Sequence, residues 1–328
     1  MIILVIGLGS MGRRRLRLLR EIRPDITLCG VDQNEERRVA VKEESGIAVY
    51  ASVTEAIEKA HPEAAIVSSS PLSHASIVRE CLQAGLHVFT ELNLVADGYE
   101  ENIALAESKA LVLFMSSTFL YRRETQYLIE RAREYRKKLN YRYHVGQYLP
   151  DWHPWENYTD YFIGDNRTNG CRELFAIELP WLMAAFGRID EVKVLKTKCT
   201  SLRIGYSDSY MVLLKHHNGH IGSLNIDVVS RNAERLFEMY GEDLSITWNG
   251  TPDTLQEWDA RKKEARPVRL YEDTTHRDGY AGFVIENAYA DELCAFLDSV
   301  ETGKRAAYGF KEDLKTLTVI DEIERAGE

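Results

Sequence analysis

Near the start of the chain, Gly7-Leu8-Gly9-Ser10-Met11-Gly12 sets three glycines at the spacing G-x-G-x-x-G. That spacing binds a pyrophosphate when a strand feeds the turn and a helix leaves it. Gly7 makes the tight turn, Gly9 lets the phosphates approach the backbone, and Gly12 brings helix and strand together. The helix start, at Ser10 and Met11, offers unpaired N–H groups and the positive end of its dipole to the anion. Asp32 follows Gly12 by 20 residues. A carboxylate there accepts hydrogen bonds from both ribose hydroxyls and repels a 2′-phosphate, so NAD is expected over NADP. Arg37 and Arg38 stand just beyond it, where a 2′-phosphate would be held. Arg13, Arg14 and Arg15 oppose the helix dipole and are read as solvated side chains on an exposed face, the alternative being that one reaches the pyrophosphate or an anionic substrate.

These glycines need a strand before them and a helix after them, and the first third supplies both. Ile2–Ile6, Ile26–Val31, Ala48–Tyr50, Ala64–Ser68, His87–Thr90 and Ala110–Ser116 read as strands. Helical stretches separate most of them: Met11–Ile22, Asn34–Ser45, Ser73–Ala84 and Asp97–Lys109. Repeated strand–helix–strand units predict a doubly wound parallel sheet covered on both faces. The rhythm changes near Thr118. Helices at Glu124–Lys138 and Cys171–Phe186 accompany strand-like runs at Tyr141–Tyr148, Val192–Lys198, Tyr210–His216, His220–Val229, Leu236–Tyr240 and Leu244–Trp248. Asn218-Gly219 is a hairpin turn signal. Two helices, Gly282–Thr302 and Lys311–Ala326, close the chain. The expected class is α/β, with a Rossmann domain over 1–119 and an α/β domain with an open, mainly antiparallel sheet over 120–328.

Composition narrows the partners. Among 328 residues, 41 Lys and Arg against 51 Asp and Glu give a net charge of −10. Nucleic-acid binding is not expected, because phosphate backbones are held by clustered basic side chains. No apolar run approaches the ~18–20 residues of a membrane-crossing helix. Cys29, Cys81, Cys171, Cys199 and Cys294 are odd in number and scattered, which fits reduced thiols in a cytoplasm better than disulfides. His216, His217 and His220 flank the hairpin, but adjacent strand residues point to opposite faces, so no metal site is expected.

The stretch from Ala64 to Leu94, AAIVSSSPLSHASIVRECLQAGLHVFTELNL, contains Pro71-Leu72-Ser73-His74 and Ala84-Gly85-Leu86-His87-Val88. It resembles the third and fourth cofactor-binding segments of the Gfo/Idh/MocA oxidoreductases. Tyr289 to Phe296, followed by Gly303, resembles a late helix of the same family. The resemblance implies that Ser69, Pro71, His74 and Glu91 line the cofactor site. It also implies a homodimer or homotetramer built across the open sheet, and a substrate that is a sugar, cyclitol or nucleotide sugar. Two departures stand out. Where the family has Glu-Lys-Pro, this chain has Glu91-Leu92-Asn93, and a leucine cannot donate a hydrogen bond. The places of the family's His-x-x-Asp, counted back from Gly187, hold Ile177 and Pro180.

Acid–base chemistry must then come from other groups. Oxidising a secondary alcohol needs a base at the hydroxyl and a donor to steady the oxygen. The aromatic segment from Gln147 to Phe162 offers Trp152, Trp155 and Tyr158 to stack on a sugar ring, and His153 to move a proton near neutral pH. Arg172 could anchor an anionic or hydroxyl-rich substrate, and Glu173 or Glu178 could act as base; a plain ion pair is the competing reading for Arg172. Tyr121 and Arg122 fall near the family's substrate cleft. The expected function is an NAD-dependent oxidoreductase of a sugar or sugar derivative. The alternatives are a dinucleotide-binding sensor or partner subunit without turnover, and a glycosidase that uses NAD.

Overall fold

Ile2–Ile6 (β1) is all aliphatic and almost wholly buried, as a strand covered on both faces must be. In the computed structural model, which describes residues 1–154, 156–275 and 284–326, β1 is central in a six-stranded parallel sheet of order β3-β2-β1-β4-β5-β6. The other strands are Thr27–Val31 (β2), Ala48–Tyr50 (β3), Ala64–Val67 (β4), His87–Thr90 (β5) and Leu113–Met115 (β6). The connecting helices are Ser10–Ile22 (α1), Glu35–Ser45 (α2), Val53–Ala60 (α3), His74–Gln83 (α4) and Tyr99–Ser108 (α5). The strand order reverses between β1 and β4, which is where an open α/β sheet binds its ligand. Leu4, Ile6, Val31, Val67, Val78, Leu82 and Val88 belong to the core beneath it.

Helix α3 was not expected, yet its signal was in the chain. Ser52 accepts a hydrogen bond from Glu55 N at 3.2 Å, while Glu55 Oε2 accepts one from Ala51 N at 3.0 Å. That reciprocal bonding is close to a capping box.

The rest of the chain contributes Arg123–Glu134 (α6), Asn140–Gly146 (β7), Gly170–Phe186 (α7), Ile189–Thr197 (β8), Ser209–His216 (β9), Ile221–Asp227 (β10), Glu234–Tyr240 (β11), Ser245–Trp248 (β12), Gln256–Asp259 (β13), Glu264–Pro267 (β14), Glu286–Thr302 (α8) and Phe310–Arg325 (α9). Its eight strands run β14-β13-β12-β11-β7-β10-β9-β8. All pairs are antiparallel except β7 with β10, where Tyr143 lies level with Leu224. The sheet is therefore mixed and mainly antiparallel. The Asn218-Gly219 hairpin closes between β9 and β10, with Gly219 N bonded to His216 O at 2.8 Å. Strands β13 and β14 escape sequence reading because the exposed edge carries no alternation of apolar residues.

The chain divides into two compact units. Residues Met1–Ser117 and Tyr289–Lys315 form one, and Thr118–Ala288 and Thr316–Glu328 form the other. Among the described residues, no helix is long and apolar enough to cross a membrane.

Candidate functional site

The glycine turn joins β1 to α1 in the expected way. Gly7 has φ +89°, and a Cβ there would lie 2.7 Å from Ser68 O. At Gly12 a Cβ would lie 1.8 Å from Gly7 O. Both positions exclude a side chain by contact with backbone. Gly9 differs: a Cβ would meet only Arg37 Nη1, at 3.9 Å. Gly9 is the N-cap of α1, with no side-chain cap and no acidic residue in the first turn. Ser10 is exposed and Met11 half-buried there. An uncapped, unneutralised helix start beside open space fits a pyrophosphate.

Asp32 directly follows β2 and braces this turn. Its Oδ2 accepts from Leu8 N at 2.8 Å, and its Oδ1 accepts from Asn34 N at 2.8 Å. Arg38 is committed to backbone: its Nη1 donates to Asp32 O at 2.8 Å and to Gln33 O at 2.9 Å. Arg37 is half exposed, with Nη1 at 3.8 Å from Asp32 Oδ2.

The arginines of α1 correct the sequence reading. Arg13 is partly exposed, 3.6 Å from Glu44, but Arg14 and Arg15 are buried. Arg14 lies over the Tyr289 ring, 4.4 Å from its centre. Arg15 Nε and Nη2 donate to the two oxygens of Glu91 at 2.7 and 3.0 Å. Buried guanidinium is tolerated here because carboxylates meet it.

The resemblance-based residues split into two kinds. Ser69 Oγ lies 2.8 Å from Ser73 Oγ, at the mouth of the loop after β4, and Pro71 is buried in that loop. His74 is enclosed. Its ring is 2 % exposed, its Nε2 lies 2.9 Å from Ser69 O, and its Nδ1 bonds Asn93 Oδ1. Burial holds its pKa below the usual histidine value. It ties the loop after β4 to the loop after β5.

In the second unit, the aromatic segment is anchored on the start of α7. A Cβ at Gly170 would meet Leu149 Cδ1 at 3.2 Å and Ile163 Cγ2 at 3.3 Å, so Leu149 of the segment and Ile163 just after it pack on that glycine. The Asn169 side chain starts the helix by accepting from Arg172 N at 2.8 Å. One turn in, Glu173 carries a buried Oε2 without a hydrogen-bond partner. Desolvation pushes its carboxyl up to about 7. The Tyr161 hydroxyl is also buried without a partner; burial raises its pKa, and the neighbouring Glu173 charge adds to the shift. His153 stacks on Tyr161 with centroids 4.9 Å apart and rings 10° from parallel, and its Nδ1 lies 2.6 Å from Glu156 Oε1. Trp152 Nε1 donates to Gln147 O at 3.0 Å, and the Tyr158 hydroxyl accepts from Arg203 N at 3.1 Å. Trp155 lies outside the described residues.

Three candidates are drawn away from this cluster. Arg172 donates to Asp321 Oδ1 at 2.7 Å and pairs with Glu324, so it is the ion pair rather than a free anchor. Glu178 lies five residues past Glu173, about 140° around the helix, and is fully buried. Tyr143 OH and Trp181 Nε1 donate to its Oε2 at 2.8 Å each, and Arg235 Nε to its Oε1 at 3.0 Å. Arg122 is buried against Trp248 and bonded to Glu124 and to Gly250 O. Tyr121 is partly exposed at the end of the short turn before α6. Sequence reading passed over Tyr161 and Arg235. Neither sits at a motif spacing from its carboxylate; the only hint for Tyr161 was its place in the aromatic segment.

Comparison with known proteins adds three findings. Residues 1–117 match the family GFO_IDH_MocA, described as an oxidoreductase family with an NAD-binding Rossmann fold. No curated protein matches the sequence. Solved structures match nearly the whole chain: levoglucosan dehydrogenase in complex with NADH and levoglucosan has a TM-score of 0.81 at 16% identity, covering 98% of this chain and 95% of that one. GenD2 from gentamicin A biosynthesis, in complex with NAD, has a TM-score of 0.79 at 17% identity, covering 99% and 93%. UDP-N-acetylglucosamine 3-dehydrogenase GnnA from Acidithiobacillus ferrooxidans has a TM-score of 0.77 at 18% identity, covering 98% and 96%. At these identities the likeness establishes a shared fold.

Proposed function

We propose that this chain is an NAD-dependent oxidoreductase acting on a hydroxyl or keto carbon of a sugar or sugar derivative. The observation that carries the reading is the uncapped start of α1 at Gly9, open in front and flanked by the Asp32 carboxylate. Gly7, Gly9, Ser10, Met11, Gly12 and Asp32 would hold the dinucleotide, with Ser69, Pro71 and Glu91 at the ends of the neighbouring strands. When bound, the dinucleotide supplies or accepts a hydride. The sugar preference draws on a protein of the same fold that was solved with NADH and levoglucosan.

Glu173 is the acid–base group of this reading. On the resemblance, Leu92 and Ile177 stand where the family has a lysine and a histidine, and neither side chain moves a proton. Glu173 lies one turn ahead of Ile177 on the same helix face. A carboxyl near 7 is suited to take the hydroxyl proton of an alcohol, or return one to a carbonyl oxygen, around neutral pH. His153, Trp152, Tyr158 and Tyr121 would contact the substrate. The chain would act as a homodimer or homotetramer, supported by exposed Leu195, Met211 and Leu213 on alternate positions of β8 and β9.

The test is a fluorescence titration with NADH and NADPH, followed by a panel of sugars and nucleotide sugars with NAD. NADH should bind more tightly than NADPH, and at least one panel member should yield NADH at a rate that rises through about pH 7 and is lost in Glu173→Gln. Tighter NADPH binding would overturn the NAD assignment through Arg37. NADH binding with no turnover across the panel would favour a dinucleotide sensor.

A further inference from the structure

The buried Arg15 has no place in the chemistry described so far. It stands three residues after Gly12, one turn into the helix whose start would meet the phosphates. It is 0 % exposed. Its Nε and Nη2 grip both oxygens of Glu91, at 2.7 and 3.0 Å, and Nη2 also donates to Glu292 Oε2 at 2.7 Å. Nη1 donates to Tyr289 O at 3.3 Å, and the guanidinium lies 4.6 Å from the centre of the Phe89 ring. Glu292 is itself fixed: its Oε1 accepts from Ser117 N at 2.7 Å and Ser116 Oγ at 3.0 Å.

Of the three charged groups, Arg15 and Glu292 are closed off, and only Glu91 reaches the surface, with its side chain 14% exposed. Glu91 directly follows β5. Its Oε1 lies 3.4 Å from the hydroxyl of Ser68, which directly follows β4. Ser68 is also the residue whose carbonyl closes over Gly7. Hydrogen bonds thus link Ser68, Glu91, Arg15 and Glu292. Ser68 and Glu91 stand at the C-terminal ends of β4 and β5, the edge where such folds bind their ligand.

We infer that Arg15 is a positioning residue that clamps Glu91 in one orientation, so that this carboxylate meets the nicotinamide end of the bound dinucleotide. The inference rests on the NAD reading above. A planar fork can hold both oxygens of a carboxylate at once, and an ammonium cannot. Glu292 keeps the fork from turning by fixing the third N–H direction. A carboxylate held this way has lost its rotational freedom before the ligand arrives, which is how preorganisation raises affinity.

The experiment compares NADH with ADP-ribose, which shares the adenosine and pyrophosphate but lacks the nicotinamide. Both are titrated into the full-length parent, Arg15→Lys and Glu91→Gln, with a thermal melt of each to establish folding. Arg15→Lys should weaken NADH about tenfold, equivalent to about 1.4 kcal/mol, and leave ADP-ribose within about twofold. Glu91→Gln should show the same selective loss, and it answers the question if Arg15→Lys does not fold. Equal weakening of both ligands would overturn the inference, because Arg15 would then merely support the glycine turn. Unchanged NADH affinity in Glu91→Gln would overturn it too, since nothing would need positioning. A parent that binds ADP-ribose and NADH equally removes the nicotinamide contact, while a parent that binds neither defeats the NAD reading itself.

Discussion

Replacing Glu173 by Gln should change the pH dependence of folding in a defined direction. Burial raises the Glu173 carboxyl from 4.5 in the unfolded chain to about 7 in the folded one. Between those values the folded state keeps a proton that the unfolded state has released. Stability therefore falls as pH rises through this window, and the loss is complete above the folded value. Raising the carboxyl from 4.5 to about 7 corresponds to about 3 kcal/mol. That is an upper limit, because an edge of Glu173 remains partly exposed. Glutamine has nearly the same shape and does not ionise. Urea denaturation of both proteins at several pH values from 4.5 to 8.5 isolates the contribution, since groups common to both cancel in the difference. Relative to the parent, Glu173→Gln should gain up to about 3 kcal/mol between the acid and alkaline ends. A difference that stays flat across the range would show that Glu173 ionises as an ordinary surface carboxylate, and the acid–base role built on its burial would fall with it.

Arg172→Met should remove two charge-assisted contacts, to Asp321 and Glu324, and cost about 1.5–3 kcal/mol in urea denaturation. Turnover per folded molecule should be unchanged; a specific drop in kcat at full stability would return Arg172 to the substrate. Light scattering should find the chain dimeric or tetrameric, and charges introduced at Met211→Glu and Leu213→Glu, both exposed on one face of β9, should make it monomeric with NADH affinity retained. A parent that is already monomeric would refute the self-association.

The first unit was largely legible as sequence because its signals are local. An aliphatic run, a glycine turn, an amphipathic helix and an acid at the end of the next strand all lie within about one strand–helix–strand unit. Backbone sterics then leave little choice: at Gly7 and Gly12 any side chain would strike backbone. The repeated unit announced parallel strands but not their order, and the alternating runs of the second unit announced its sheet. The parallel pairing of β7 with β10 was not announced, because a strand's periodicity carries no sign of its partner's direction.

The fate of the charged side chains was decided by tertiary structure alone. Glu173 and Glu178 are the same residue type on one helix, yet one keeps an unpartnered oxygen and the other is bound by Tyr143, Trp181 and Arg235. Which face of α7 lies against the sheet makes that difference, and every face of this apolar helix reads alike in the sequence. Arg15 looked solvated because its two carboxylates are 76 and 277 residues away. Local sequence determined the strand, glycine turn and helix on which the proposed dinucleotide site rests. Long-range packing decided which ionisable groups are desolvated, paired or left free to act, because burial and Coulomb partners depend on distances in space that residue spacing along the chain does not contain.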